Sequence, residues 1–323
     1  MTTIAALADA AADAATRIAS VIRRTPLSFS PRWSEITGAR VWFKLENLQL
    51  TGSFKLRGAA NRLLALSDAE RRAGCVAASS GNHGAAVAYA MAKLGIDGVI
   101  FVPQRTSVSK LDAIRAFGGS VEFHGSDGLD TELYAKQYAE SRGMTYVSPY
   151  NDAAVVAGQG TCGIEIVDEL PDVDALFVSI GGGGLVSGVG SVLRTRRPGI
   201  AIVGSQPRNS PVMTRSIEAG RIVDLPSEPT LSDGTAGGVE PDALTFDLCR
   251  ELVDDFVLVD EADIARAMRD FIDTEHQVIE GAAGVAVAAL QKRCNDFAGK
   301  NVVVLICGAN ISRDRLAEVL TDD

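Results

Sequence analysis

The residue with the clearest chemical potential is Lys55, in the segment LENLQLTGSFKLRGA, where Gly52 and Ser53 mark a turn running into a helix. A lysine is ordinarily a solvated surface charge. Lys55 instead follows the apolar Phe54 and opens a helix, the end at which the macrodipole disfavours a cation. A lysine there is better explained as a neutral imine or as an amine of lowered pKa that acts as a base.

Three further segments pass from a β-prone run into a small-residue turn. In ASSGNHGAA, residues 78–86, Ser79 or Ser80 is placed to cap a helix, and the free N–H groups of that helix end suit a carboxylate. His83, one of three histidines, could cap its own loop or transfer a proton. In VSIGGGGLVSG, the four glycines Gly181 to Gly184 remove every Cβ and let N–H groups close around a phosphate at a helix N-terminus. A dinucleotide site is the rival, because Gly182, Gly184 and Ser187 approach the spacing GxGxxG. That fingerprint also needs an acid roughly 20 positions on, and the next strand ends in VGSQP, with none. In VVVLICGAN, Cys307 ends a strand, where a cysteine is usually a small core residue.

Taken together, the four segments cover residues 52 to 310, and in order and spacing the chain resembles the fold-type II pyridoxal phosphate (PLP) enzymes. That group contains threonine and serine dehydratases, serine racemase and, more distantly, cysteine synthase and the tryptophan synthase β chain. The resemblance implies a Schiff base between Lys55 and PLP, with Phe54 beside the ring. It implies that Ser79, Ser80, Asn82 and His83 hold the substrate carboxylate, with Asn82 also contacting the phenolic oxygen. It implies a phosphate cup at Gly181, Gly182, Gly183 and Gly184 with Leu185 adjacent, and Cys307 facing the pyridine nitrogen. The usual SGGN is CGAN here.

A carboxylate partner would hold that nitrogen protonated and favour a long-lived carbanion, whereas a thiol does not, and the weaker electron withdrawal by the ring favours prompt departure of a β-substituent. The function this implies is β-elimination from a β-hydroxy amino acid such as L-threonine or L-serine, giving a 2-oxo acid and ammonia, with Lys55 as general base. The alternatives are dehydration of another 3-hydroxy amino acid and a serine racemase-type isomerase, in which Ser80 returns a proton on the face opposite Lys55. The racemases' divalent-cation segment matches GSQPRNSPVM, where Gln206 and Val212 replace the carboxylates, so no metal is expected there. Asp130 falls where the racemases have an arginine, which disfavours an acidic substrate. Glu280, in VIEGAAGV, matches a family glutamate near the cofactor, with a catalytic or a structural role open. Asp233 and Gly234, in LSDGTAGG, read locally as a turn that the resemblance places near the site.

The elements that must position these residues alternate. The β-prone runs VWFKLE, CVAASS, GVIFVP, ALFVSI, IAIVGS, FVLVD and NVVVLIC are separated by Ala/Leu-rich helical stretches, the signature of parallel strands linked by helices. Their apolar character on both faces suggests strands buried between helix layers. The expected fold class is α/β, with two lobes each holding an open, mostly parallel sheet flanked by helices. The resemblance implies a large PLP-binding domain of residues 1–66 and 152–323 and a small substrate-carboxylate domain of residues 67–151. Its 323 residues, 46% hydrophobic, are enough for two such units.

A net charge of -10 opposes binding to nucleic acid or an anionic membrane surface. The cluster Arg194, Arg196, Arg197 reads as a helix end before Pro198. The N-terminal stretch reads as an amphipathic helix rather than a leader, because Asp9 and Asp13 interrupt its apolar part. Five scattered cysteines without a CxxC pair suggest reduced thiols and a cytoplasmic location. A homodimer is common in the family.

Overall fold

The computed structural model describes residues 3–126 and 128–321. Its strands are β1 (Leu27–Phe29), β2 (Arg40–Leu45), β3 (Cys75–Ala78), β4 (Gly98–Val102), β5 (Val121–Phe123), β6 (Thr145–Tyr146), β7 (Ala175–Ser179), β8 (Ala201–Pro207), β9 (Asp255–Val259) and β10 (Asn301–Ile306). The helices are α1 (Ile4–Ile18), α2 (Pro31–Thr37), α3 (Lys55–Leu64), α4 (Asp68–Ala73), α5 (Asn82–Leu94), α6 (Val108–Ala116) and α7 (Gly128–Arg142), followed by α8 (Ala153–Glu169), α9 (Gly184–Arg196), α10 (Val212–Ala219), α11 (Leu244–Leu252), α12 (Glu261–Glu275), α13 (Gly281–Arg293) and α14 (Arg313–Thr321).

The strands form two sheets. The larger has the order β1-β2-β10-β7-β8-β9 and the smaller the order β5-β4-β3-β6. Every pairing is parallel except β1 with β2, so the α/β class and the mostly parallel sheets stand as expected. Each strand read from an apolar run is present. One expectation needs correcting: FVLVD is not buried on both faces, because β9 lies at a sheet edge and Asp255, Phe256 and Leu258 are only half-buried. Central strands such as β7 and β10 are buried along their whole length, as helices on both faces require.

The core follows from this layering. Trp33, Phe43 and Phe271 stack edge to face under one end of the larger sheet, with ring centroids 5.9 and 4.9 Å apart. In the smaller sheet, one face packs on α5 and α6 through residues such as Ile100, Val87 and Ile114, and the other on α7 through Phe101, Ala135 and Ala139. Helix α1 begins at a Thr3 cap, whose hydroxyl accepts from the Ala6 N–H at 3.2 Å, and buries the stripe Leu7, Ala11, Ala14 and Ile18. The arginine cluster ends α9, where Arg194 reaches Asp254 and Arg197 reaches Asp174. No helix among the described residues is long and apolar enough to cross a membrane.

Helices α8 and α9 meet backbone to backbone. A Cβ at Gly188 would lie 2.2 Å from the Val156 carbonyl oxygen and 2.6 Å from the Gly160 nitrogen. Gly188→Ala is therefore expected to destabilise the fold by about 1–3 kcal/mol, as overpacking does. Gly199→Ala, where nothing lies within 4 Å of the added carbon, serves as the control. Urea midpoints at unchanged slope would report the difference, and equal midpoints would refute the close-packing account.

Candidate active site

The site lies where strand order predisposes α/β sheets to bind, outside the carboxyl ends of parallel strands. Strands β2, β10 and β7 run side by side. Their carboxyl ends continue into the loop before Lys55, the turn at Cys307 and the glycine run, while β3 runs into Ser79 and Ser80.

Backbone hydrogen bonds join the first two of these loops. The Phe54 N–H donates to the Cys307 carbonyl at 3.0 Å, and the Ala309 N–H to the Gly52 carbonyl at 2.9 Å, with a bridge between Ser53 and Gly308. Gly52 takes φ of +74°, and a Cβ there would strike the Asn310 side chain at 2.6 Å. Lys55 thus opens α3 directly beside Cys307.

The Lys55 amine donates to the Pro149 carbonyl at 2.9 Å and stands 5.1 Å from the centre of the Phe54 ring. The side chain keeps some exposed surface in the cleft, but the amine is enclosed by protein. Burial lowers its pKa to about 8, partly opposed by the negative charge of the nearby Glu280 carboxylate. A substantial neutral fraction near physiological pH makes it a nucleophile and a base.

Glu280 is the node of the site. Its carboxylate accepts from the Asn82 amide at 2.9 and 3.0 Å and from the Asn310 N–H at 3.1 Å, and lies 3.7 Å from the Cys307 sulfur. Burial raises its pKa to about 7, against the Asn82 hydrogen bond and assisted by Asp233. The Cys307 thiol, also 3.7 Å from the Ser179 hydroxyl, is held neutral by burial and by the nearby Glu280 charge. A Cβ added at Gly234, in the turn after Asp233, would lie 3.5 Å from the Ala282 Cβ and 3.8 Å from the Glu280 carboxylate, so this turn does border the cluster.

Helix α5 starts differently from expectation. Neither Ser79 nor Ser80 caps it: the cap is Gly81, with no side-chain hydrogen bond, and the Ser79 hydroxyl accepts from the Gly81 N–H instead. The first N–H groups of α5 therefore receive no side-chain cap. Asn82 is engaged with Glu280 and, through its carbonyl oxygen, with the Asn310 amide at 2.6 Å. The His83 ring is buried and bonded to the Val147 carbonyl at 2.8 Å, while its Nδ1 has no partner. Burial, then the Lys55 charge, lowers its pKa to about 3, so the ring is neutral. What His83 offers at the helix end is its backbone N–H.

The glycine run does more than clear space for a ligand. Gly183 caps α9 with φ of +83° and no side-chain bond, leaving that helix end open. A Cβ at Gly182 or Gly184 would strike Tyr150, at 2.5 and 2.9 Å, and one at Gly183 would meet the Cys249 sulfur at 2.6 Å. Tyr150 is held there by the Glu240 N–H, which donates to its hydroxyl at 2.9 Å. The Glu240 carboxylate in turn takes Asn151 at 2.9 Å and Lys136 of α7 at 2.8 Å. A second pair, Lys110 of α6 with Asp233 at 3.1 Å, also joins the smaller sheet's helices to the larger sheet's loops. Leu185 is buried in the first turn of α9.

Lys55, Phe54, Asn82, Cys307 and the glycine run are therefore brought to one edge. Asp130, at the exposed start of α7, accepts from the Ser126 N–H. The Gln206 side-chain oxygen accepts from the Thr214 N–H at 2.8 Å and from the Thr214 hydroxyl at 2.7 Å. Sequence reasoning missed Tyr150 and Glu240, whose roles come from contacts between distant segments, and undervalued Glu280. An acid flanked by Val278, Ile279 and small residues was the available signal for its burial.

Comparison with known proteins agrees with this geometry. The family model described as pyridoxal-phosphate dependent enzyme matches residues 18–308. An L-threonine ammonia-lyase of Thermotoga maritima is 40% identical over 301 residues, 93% of this chain and 75% of that protein. The L-threonine dehydratase catabolic TdcB of Staphylococcus aureus is 38% identical over 312 residues, 95% and 90% of the two chains. Among solved structures, threonine deaminase isoform 2 from Solanum lycopersicum superimposes with a TM-score of 0.92 at 34% identity, covering 97% of this chain and 92% of that one. Maize serine racemase does so with a TM-score of 0.90 at 31% identity, covering 97% and 96%.

Only the neutral amine of Lys55 attacks a carbonyl, so its rate of trapping by a small aldehyde and a reductant should climb with pH and level off above about 8. Surface lysines should keep climbing, and Glu280→Gln, which removes a charge that raises the pKa, should bring the plateau to lower pH. Peptide mass mapping of the cofactor-free protein would read each site; a Lys55 profile like that of surface lysines would contradict the burial argument.

Proposed function

Because the chain belongs to the pyridoxal-phosphate dependent enzymes, with their fold-type II architecture, we propose that it is an ammonia-lyase. It eliminates water from a β-hydroxy amino acid such as L-threonine or L-serine, and a water molecule taken up on hydrolysis of the unsaturated product releases ammonia and leaves a 2-oxo acid. The observation that carries this reading is the enclosed Lys55 amine standing beside a neutral thiol, Cys307. The names of the relatives, L-threonine ammonia-lyase and L-threonine dehydratase, support it.

The residues present fit the cofactor. The amine of lowered pKa suits its aldehyde, and the uncapped start of α9 with its glycine backbone suits its phosphate. Cys307 suits its ring nitrogen, Phe54 would lie beside the ring, and Asn82 would meet its phenolic oxygen. When bound, pyridoxal phosphate supplies an electron sink at the substrate's Cα.

The protein's own residues do the rest. Lys55 takes the Cα proton as general base, because its amine is part-neutral at physiological pH. Ser79, Ser80, Asn82 and His83 bind the substrate carboxylate at the open N-terminus of α5, where the helix dipole favours an anion. The buried thiol of Cys307, backed by a Glu280 carboxyl that is partly protonated near neutrality, brings no strong fixed negative charge to the ring nitrogen. That limits the stabilisation of a carbanion and favours immediate loss of the β-hydroxyl. Residues 67–151, which contain the smaller sheet, would form the substrate-carboxylate domain, and 1–66 with 152–323 the cofactor domain.

A serine racemase-type side activity is the second reading, favoured by the half-buried Ser80 hydroxyl at the open end of α5. The free thiols, four buried and one half-buried, agree with a reducing compartment and hence the cytoplasm. The homodimer rests on the family resemblance.

With added cofactor, a panel of L-serine, L-threonine and longer β-hydroxy amino acids should release 2-oxo acid, and Lys55→Ala should abolish it. Ser80→Ala should remove any D-enantiomer while leaving elimination within about threefold. No 2-oxo acid from any member, with cysteine formed instead from an activated serine and sulfide, would reject the lyase reading.

A further inference from the structure

Two residues beyond Lys55, at about 100° per residue, Arg57 faces the opposite side of α3. It is fully buried, as are Lys44 and Glu46, and Glu165 is nearly so. The Arg57 guanidinium forks onto Glu46, with two bonds of 2.8 Å, and onto Glu165, with bonds of 2.7 and 2.8 Å. It also donates to Thr161 at 3.0 Å and to Thr25 at 3.3 Å. Lys44 donates to Glu165 at 2.5 Å and to the Thr25 carbonyl at 2.6 Å. Two cations and two carboxylates thus balance inside the protein, contributed by the end of β2, the turn that follows it, α3 and α8.

Such a cluster is a poor way to gain stability, because desolvating the charges offsets most of their attraction and apolar replacements often serve as well. What it supplies is geometry. The fork of Arg57 fixes the first turn of α3 in rotation and along its axis, against elements on the side away from the cleft. Gln159 of α8 adds to this by accepting the Gly58 N–H at 3.2 Å. On the cleft side the same turn is held by Phe54 and Cys307. Proton abstraction tolerates little error, since about 1 Å of misplacement can cost on the order of a hundredfold in rate.

We propose that the buried quartet Lys44, Glu46, Arg57 and Glu165 is a positioning device for Lys55, holding its ε-amine in register with Pro149, Cys307 and Glu280. This rests on Lys55 being the residue that carries the cofactor. The quartet touches no reacting atom and acts only through α3.

The holoenzyme tests it in two forms: Arg57→Lys, which keeps the charge but loses the fork, and the double variant Lys44→Met with Glu165→Gln, which removes one ion pair and keeps neutrality. Both should fold, by urea midpoint, while kcat falls roughly ten- to a hundredfold with KM little changed. The visible absorption band of the lysine-bound cofactor should titrate at a shifted pH, a readout that a purely structural loss would not move. Folded variants with unchanged kcat and unchanged titration overturn the proposal. So does failure of both variants to fold, which would make the quartet a stability element. Lys55→Ala separates the two layers: if it keeps the visible band, the assignment of Lys55 has failed, whereas if it loses the band and Arg57→Lys behaves as wild type, only the positioning has failed.

Discussion

The site depends on the short ladder between residues 52–54 and residues 307–309. These segments are some 250 positions apart, and the backbone hydrogen bonds between them bring the start of α3, with Lys55, beside Cys307. The ladder tolerates no side chain at two of its positions. A Cβ at Gly52 would collide with Asn310, and one at Gly308 would come within 2.6 Å of Glu280. Ala309, in place of the family's usual second glycine, leaves the ladder intact, because its N–H still donates to Gly52. Of the two departures of CGAN from SGGN, Cys307 and Ala309, the second thus falls where a methyl group is accepted.

Around this ladder, burial is what sets the charge states. It pushes the Lys55 amine down and the Glu280 and Cys307 protons up, so each group moves toward its neutral form. The quartet behind α3 shows the opposite treatment of buried charge, with every ion paired and forked. One side of a single helix turn is therefore kept weakly charged and adjustable, and the other rigidly ionic.

Much of this was legible in the sequence. Parallel strands buried on both faces are written as apolar runs, and each loop that carries chemistry follows such a run. Strands β1, β5 and β6 escaped notice because two or three residues are too few to show a period. The cap of α5 was misplaced because serine is the usual choice, yet here the strand end leaves Gly81 at the cap position, with Ser79 bonded back onto it. Tyr150, Glu240 and the quartet were invisible for a different reason: their partners come from other lobes and other elements, and no local pattern marks a contact that only the assembled fold creates. Arg57 did carry a faint sign, a cation among Leu56, Gly58 and Ala59 on a helix otherwise made for burial.

The aromatic ring resting on the glycine run ties the side chain that position 182 can carry to the one at position 150. With the Tyr150 ring against Gly182 and its Cβ and Cα against Gly184, an alanine at either position would require Tyr150 to move. A smaller residue in place of the tyrosine would make room at Gly182 but not at Gly184, where an added methyl meets the Cβ and Cα of residue 150. The side chain allowed at position 182 is therefore set by the one at 150, whereas position 184 is restricted by the path of the chain itself.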